Sequence, residues 1–311
     1  MELQKVLADY MDHCRYRKEL NEKTLKAYRI DLHQFSDFAA GNENPFGREL
    51  IDQYVTELHK RFQPKTVKRK IASLKAFIHF LEYQELLEIN PFSKLDIRFR
   101  EPKLLPKTIP FHVIQQYLLT IYEQYHKPQT DCRKRNILRD IAVNELLFAT
   151  GVRISELCSL EDKDIDLDNG NILIYGKGAK ERLIQIGNEE VLAAVKEYRR
   201  EFRKDINDTG YFFINCRGKK LSEQSVRNMI DRYADAAGIT MHITPHMFRH
   251  SFATLLLEED VDIRYIQKML GHSSITTTEI YTHVSIAKQK NILTTKHPRN
   301  YIHVLIANAG K

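Results

Sequence analysis

Over the first 95 residues apolar positions recur at helical spacing between short polar breaks. Candidate helices cover roughly residues 2–18, 22–40, 47–60 and 64–87, with Asn21, the turn sequence GNENPFG and Pro64 between them. In the last of these, Val67, Ile71, Leu74, Ile78 and Leu81 stand 4, 3, 4 and 3 apart, so one stripe faces a core. Residues 96–109, DIRFREPKLLPKTI, hold two prolines and no helical period, and read as a linker. Fourteen extended residues reach about 46 Å. Beyond Pro110 the helical pattern resumes at about 111–126, 133–150 and 153–160. It then gives way to DIDLDNGNILIYGKGAKERLIQIG, where β-branched alternation is broken at Asn169-Gly170 and at the Gly-Lys-Gly of 176–178. That pattern predicts a three-stranded antiparallel sheet. Further helices follow near 188–203, 221–237, 245–258, 262–270 and 274–281. The fold class is mainly α with one small antiparallel β-sheet. A length of 311 residues suits two domains: a helical one over 1–95, and a second over 110–311.

Charge adds a partner to this outline. Lysine and arginine outnumber aspartate and glutamate 48 to 41, a net charge of +7, and the excess is uneven. The stretch KRFQPKTVKRKIASLK, Lys60 to Lys75, has seven bases and no acid, and RFREPKLLPK, Arg98 to Lys107, has Glu101 as its single acid. One such run is commonly a solvated surface, but two on one chain favour nucleic acid. At 100° per residue Arg61, Lys65, Lys68 and Lys75 share one flank of the fourth helix, if that helix extends back to Arg61. Such a ridge suits DNA phosphates. No apolar run approaches a membrane span, and the N-terminus, MELQKVLADYMDHC, is unlike a signal peptide, so the expected compartment is the cytoplasm, with no membrane partner. Cys14, Cys132, Cys158 and Cys216 lie far apart, without the spacing of a metal site or a disulfide framework.

The chemistry concentrates in PHMFRH, residues 245–250. With Thr244 as N-cap and Pro245 as first helical residue, His246 and Arg249 sit in the first turn of a helix. The wheel puts Phe248, Phe252 and Leu255 on a core face and His246, Arg249, His250 and Ala253 opposite it. Free N–H groups at a helix start favour an anion, which makes this a phosphate seat. Two histidines four apart also occur in zinc helices, but Met247 stands where the glutamate base would be and Arg249 would crowd the metal. A structural histidine pair is a further alternative.

Around this helix lie TGVRISEL with Arg153, GKGAKER with Lys177, and LGHSSITTTEIYTHV with His272 and Tyr281. Taken in order, Arg153, Lys177, His246, Arg249, His272 and Tyr281 with their flanking words resemble the tyrosine recombinase (phage integrase) family, including its Xer-like members. The likeness is strong over about 107–284, and the basic helical region is similar to the family's core-binding (SAM-like) domain. The resemblance implies a two-domain clamp on DNA, with 110–311 as the catalytic domain. It further implies a site-specific recombinase that works through a 3′-phosphotyrosyl intermediate, in chromosome dimer resolution or in integration and excision of a mobile element.

Residue chemistry stands beside that likeness. A phosphodiester under attack gains negative charge on its non-bridging oxygens, and the forked guanidiniums of Arg153 and Arg249 suit them better than lysine would. Glu156, one turn beyond Arg153, either orients that guanidinium or forms a surface ion pair. The resemblance gives Lys177 the proton for the leaving 5′ oxygen, with Lys180 as the rival from sequence alone, and His246 and His272 the handling of protons. It also makes Tyr281 the nucleophile among 15 tyrosines, with Tyr265 nearby. A phenol with a pKa near 10 is only about 0.1% ionised at neutral pH, so it needs a base or cations. Bond energy is conserved, and no phosphate-binding loop or acidic metal cluster is evident, so no cofactor, metal or ATP is expected. Gln224, Arg227 and Asn228 are candidates for DNA contact on a polar helix face. Double-stranded DNA with an inverted-repeat core site is the implied partner. The chain itself is another, as monomer or weak oligomer in solution and as a tetramer on paired sites, with room for a related recombinase or an accessory DNA-bending protein. In the family a helix after the tyrosine docks on a neighbouring subunit, and SIAKQKNIL at 285–293 fits it, making about 285–311 a docking segment. The final YIHVLIANAGK is a second docking element or an added strand. A type IB topoisomerase and a non-catalytic DNA-binding regulator of the same fold are the competing readings.

Overall fold

A computed structural model of the chain describes residues 3–95, 97, 107–128, 130–176, 181–259, 261–271 and 292–302. The chain divides into two compact units, Met1–Leu104 and Leu105–Lys311. The first contains α1 (Leu3–Asp12), continued by a π-helical turn at His13–Arg17, then α2 (Glu22–Ala39), α3 (Arg48–Arg61) and α4 (Pro64–Tyr83). Asn21 caps α2 by accepting the Thr24 N–H at 2.9 Å, and Pro64 opens α4 where its missing N–H costs nothing. The stripe on α4 is buried as its spacing required, against Tyr10, Phe35, Ile51 and Tyr54. The fourth helix stops at Tyr83 rather than 87, because the chain turns through Glu85 in the left-handed region, φ 58°.

This unit also buries charge. Asp31 on α2 accepts Lys70 Nζ at 2.9 Å and Ser73 Oγ at 3.0 Å, and pairs with Arg69, while Lys70 also donates to Gln34. The basic run therefore splits around its helix: Lys65, Lys68 and Lys75 are exposed and Lys70 points into the core.

The second unit is built on α6 (Asp131–Thr150), whose residues from Ile137 onward are nearly all buried. Packed on it are α5 (Phe111–His126), α8 (Glu189–Thr209) and α10 (Pro245–Glu258), with α7 (Ile154–Ser159), α9 (Glu223–Ala236) and α11 (Ile263–Leu270) completing the helices described by name. Helix α8 runs past the expected 203 because its stripe Val191, Val195, Tyr198, Phe202, Ile206 continues until Gly210, at φ 75°. The sheet has the expected antiparallel order β1 (Ile165–Asp166), β2 (Asn171–Tyr175), β3 (Glu181–Gln185), and the register sets Ile172 opposite Ile184 and Ile174 opposite Arg182. Of the expected linker, Ile109 is part of this unit's core, with its N–H on Ser251 Oγ at 2.7 Å. The helix expected at 274–281 lies outside the described residues.

Of the tail expected to dock on a neighbour, 292–302 is seated on its own unit. Arg299 is 0% exposed and grips Glu145 of α6 through Nε at 2.6 Å and Nη2 at 2.7 Å, with Glu190 at 2.9 Å on Nη1. Beside it, the Arg299 N–H donates to His297 Nδ1 at 2.9 Å, which leaves the ring proton on Nε2, 3.2 Å from the carbonyl of Phe148. The residues 285–291 and 303–311 lie outside the described residues.

His297 is buried as a neutral ring, and burial lowers its pKa to about 3. A folded-state pKa below the usual 6.5 means that the unfolded chain binds the extra proton between those values, so the contribution is complete above pH 6.5 and lost as pH falls towards 3. Wild-type unfolding free energy is expected to drop by up to about 1.4 kcal/mol per pH unit more steeply than that of His297→Gln between pH 6 and 4. Urea titrations at stepped pH measure the two slopes, and equal slopes would refute the neutral assignment.

Candidate functional site

The site forms where α6 ends. Gly151 takes φ 61°, and a Cβ there would lie 2.7 Å from the Phe252 ring and 2.9 Å from Leu270, so glycine is required twice over. The chain then passes through buried Val152 to Arg153, the N-cap of α7.

Glu156, 6% exposed, is the centre of the local charge. Its Oε2 accepts the Arg153 N–H at 2.8 Å and its Oε1 accepts Arg153 Nη1 at 2.8 Å. Arg182 of β3 adds a two-pronged contact, Nη1 to Oε1 at 3.0 Å and Nη2 to Oε2 at 2.6 Å. Four donors fill the four acceptor directions of one carboxylate. Burial alone would raise the Glu156 pKa, but the Arg182 and Arg153 hydrogen bonds outweigh it and hold the carboxyl below its ordinary range. Of the two readings for Glu156, the geometry is that of an orienting partner.

The wheel's placement of Arg249 on the free side of α10 is corrected by the structure. Phe248 and Phe252 are core residues, yet Arg249 is also only 4% exposed, because α11 and the turn at Gly151 cover that face. Its Nη1 donates to the Gly151 carbonyl at 2.7 Å and its Nη2 to the Leu270 carbonyl. Both acceptors terminate helices, where carbonyls lack helical partners and the dipole is negative. No carboxylate is bonded to Arg249 among the described residues. Burial, then the neighbouring charges of Arg153 and Arg182, push its pKa down to about 9, partly offset by Glu156. It stays charged at neutral pH in an environment short of negative charge.

Thr244 occupies the N-cap of α10 but its hydroxyl makes no capping bond, so the first-turn N–H groups are not capped by that side chain. His246 is exposed; His250 is half-buried, and burial, then His246 and Arg249, lower its pKa. The structure thus brings Arg153 and Arg249 together: Arg249 holds Gly151, two residues before Arg153, and Arg153 depresses its pKa. Lys177, Lys180, His272 and Tyr281 lie outside the described residues; the first two fall on the connection between paired strands β2 and β3.

Arg182 escaped the reading of the sequence although it closes the quoted GKGAKER. A signal existed, since in the β3 alternation it shares the face of Ile184, opposite Ile174, and an arginine on the inward face of a strand requires a buried partner.

Among the DNA-contact candidates, Arg61 does not share a helix with the other three bases. The fourth helix starts at Pro64, so Arg61 is the last residue of α3, exposed and paired with Glu57 one turn earlier. Lys65 and Lys68 are exposed on α4, and Lys75 lies over the Phe92 ring at 5.2 Å. On α9, exposed Gln224 donates to Asn228 at 2.7 Å and Arg227 pairs with Glu223 at 2.9 Å.

Three guanidiniums around one carboxylate among the described residues, in a chain that also carries a basic helix, form an arrangement suited to a polyanion. The comparisons agree. Residues 113–288 match the Phage integrase family and residues 7–85 the Phage integrase N-terminal SAM-like domain. A tyrosine recombinase of Agathobacter rectalis is 53% identical over 97% of this chain and 99% of its own length. Tyrosine recombinase XerC of Bacillus subtilis is 33% identical over 94% and 96%. A structure of the XerH site-specific recombinase bound to palindromic difH substrate, in its post-cleavage complex, has a TM-score of 0.70 at 21% identity, covering 93% of this chain and 83% of that one. The chain belongs to the phage integrase family, the tyrosine recombinases, enzymes that cleave and rejoin DNA.

Removing the Glu156 carboxylate strips two guanidiniums of their acceptor, one of them, Arg182, only 10% exposed. Glu156→Ala is expected to cost about 3 kcal/mol of stability. Urea unfolding measures it, and a loss below about 1 kcal/mol would show that the arginines are compensated elsewhere.

Proposed function

We propose that the chain is a site-specific recombinase in which Arg153 and Arg249 hold the non-bridging oxygens of one DNA phosphate while Tyr281 attacks the phosphorus. The observation that carries the reading is Arg249: a buried guanidinium that, among the described residues, is anchored on helix-end carbonyls alone, beside Arg153 and an acid, Glu156, already saturated by Arg153 and Arg182. A phosphodiester supplies the missing negative charge, and supplies more as attack proceeds, which is when the interaction accelerates reaction.

Tyr281 displaces the 5′ oxygen, forms a 3′-phosphotyrosyl bond and frees a 5′-hydroxyl. Lys177 gives the leaving oxygen its proton, and His246 and His272 carry the proton of the phenol or hydrogen-bond the phosphate. A 5′-hydroxyl from another strand reverses the step, so the phosphodiester energy is retained and neither metal nor ATP takes part. Lys65, Lys68 and Lys75 of α4 neutralise backbone phosphates, and Gln224, Arg227 and Asn228 of α9 line a second surface for DNA.

The working assembly is a tetramer on two inverted-repeat sites in the cytoplasm, for chromosome dimer resolution or for integration and excision. The relatives named XerC and the DNA-bound recombinases of like fold support this reading.

On a nicked duplex carrying the cognate site, with chelator present, the protein is expected to form a covalent adduct. Tyr281→Phe abolishes it and Tyr265→Phe leaves it intact; an adduct from the first variant, or its loss with chelator alone, refutes the mechanism. Arg153→Lys and Arg249→Lys are expected to slow adduct formation by about 10²-fold or more. Recombination between two sites, as against relaxation of one supercoiled circle, separates this enzyme from a topoisomerase.

A further inference from the structure

We propose that Arg182 is a positioning residue for strand cleavage: by joining Glu156, β3 and the end of α11, it holds in one geometry three segments that adjoin the reacting groups. The proposal rests on the recombinase reading above.

The bonds of Arg182 all run between elements. Its two terminal nitrogens donate to both oxygens of Glu156, which also orients Arg153, and its Nε donates to the Met269 carbonyl at 3.0 Å. The residue itself sits one position into β3, directly after the connection 176–180 that carries Lys177. Met269 is three positions before His272, and the next carbonyl, Leu270, is the one that Arg249 holds. One guanidinium thus ties the Arg153 turn, the strand leading from the Lys177 connection, and the helix end leading to His272.

Two features show that the arrangement is built for this side chain. Gly271 has φ 63°, and a Cβ there would stand 2.9 Å from Arg182 Cδ and 3.2 Å from Nε, so the stem lies in space that only glycine leaves. Next, the donors have matching acceptors: the Gly271 N–H turns back to Gln267 and Lys268, which leaves the carbonyls of Met269 and Leu270 for Arg182 and Arg249. Lysine could supply the charge but not the fork that reaches a carboxylate and a carbonyl together.

Arg182 touches Glu156 and a backbone carbonyl, and acts on the phosphate only through Arg153, Arg249 and the neighbouring segments. Its loss should therefore misplace reacting groups more than it weakens DNA binding, and displacement on the order of 1 Å can cost about 10²-fold in rate.

The test is single-turnover cleavage of the nicked duplex by full-length wild type, Arg182→Gln and Arg182→Lys, at DNA concentrations above Kd, with Kd measured separately. The amplitude of the adduct reports the folded, active fraction and the rate constant reports positioning within it. Arg182→Gln is expected to cleave about 10²-fold more slowly with Kd changed less than about threefold. Arg182→Lys should be slowed about tenfold or more at near-normal amplitude, and Glu156→Gln combined with Arg182→Gln should be slower by less than the product of the two single effects, because both break the Arg182–Glu156 pair. A merely structural residue would lower amplitude and leave the rate constant alone; that result, or a wild-type rate in folded Arg182→Lys, overturns the proposal. Should Arg182→Gln fail to fold, the lysine variant alone decides. If wild type itself makes no adduct dependent on Tyr281, it is the recombinase reading that falls, and the two failures are distinct.

Discussion

Burying more guanidinium than carboxylate is the constraint around which the second unit is arranged. An unpaired charge away from water is costly, so the buried Arg182 and Arg249 must find acceptors, and the one acid bonded there among the described residues, Glu156, is shared between Arg182 and the half-buried Arg153. The deficit is met by backbone. Helices α6 and α11 end against the site, and their terminal carbonyls, which no helical N–H can reach, accept from Arg249 and Arg182. Such acceptors satisfy hydrogen bonds without cancelling a full charge. Among the described residues the cluster is left hydrogen-bonded but with more positive than negative charge.

Elsewhere the chain treats buried charge differently. Asp140 on α6 receives Arg139, Arg232 and the Tyr233 hydroxyl. Glu145 receives Arg299 through two bonds and the Tyr122 hydroxyl at 2.8 Å. Asp31 in the first unit receives Lys70, Arg69 and Ser73. Asp31 and Asp140 each meet two cations, but in each case one of the two, Arg69 at 46% or Arg232 at 60% exposed, reaches water, so the buried members pair one to one, and the clusters fasten helix to helix or tail to core. What marks the site among several buried ionic clusters is therefore imbalance.

Much of this was legible beforehand because the signals were periodic or verbal. Apolar spacing marks the helices and the sheet, and the words around Arg153 and Arg249 mark two residues that the fold brings together. Periodicity failed where polar residues point inward. A helical wheel treats Arg249 as solvent-facing, since nothing in 3.6-residue spacing reveals that a second layer covers the polar side. Wheel arithmetic carries Arg61 onto α4 only if that helix extends back past Pro64, and it does not. Arg299 pairs with Glu145 across more than 150 positions, a contact that no local pattern encodes. The prolines before Ile109 give it the pattern of a linker, whereas its hydrogen bond lies with Ser251, far along the chain.

Helix ends explain why these distant residues share one fate. Helix α6 presents its last carbonyls to a series of side chains and turns: Leu146 to Thr150 Oγ1, Leu147 to the Gly151 N–H, Phe148 to His297, and Gly151 itself to Arg249. The tail therefore finishes the same helix that seats the arginine. Consecutive carbonyls of α11, Met269 and Leu270, go to two different arginines. A shift of that short helix along its axis would move Arg182 and Arg249 together, and through Glu156 would reach Arg153. Stability and the placement of the guanidiniums are thus set by the same few peptide groups, which is why a glycine with positive φ closes each helix where the guanidiniums converge.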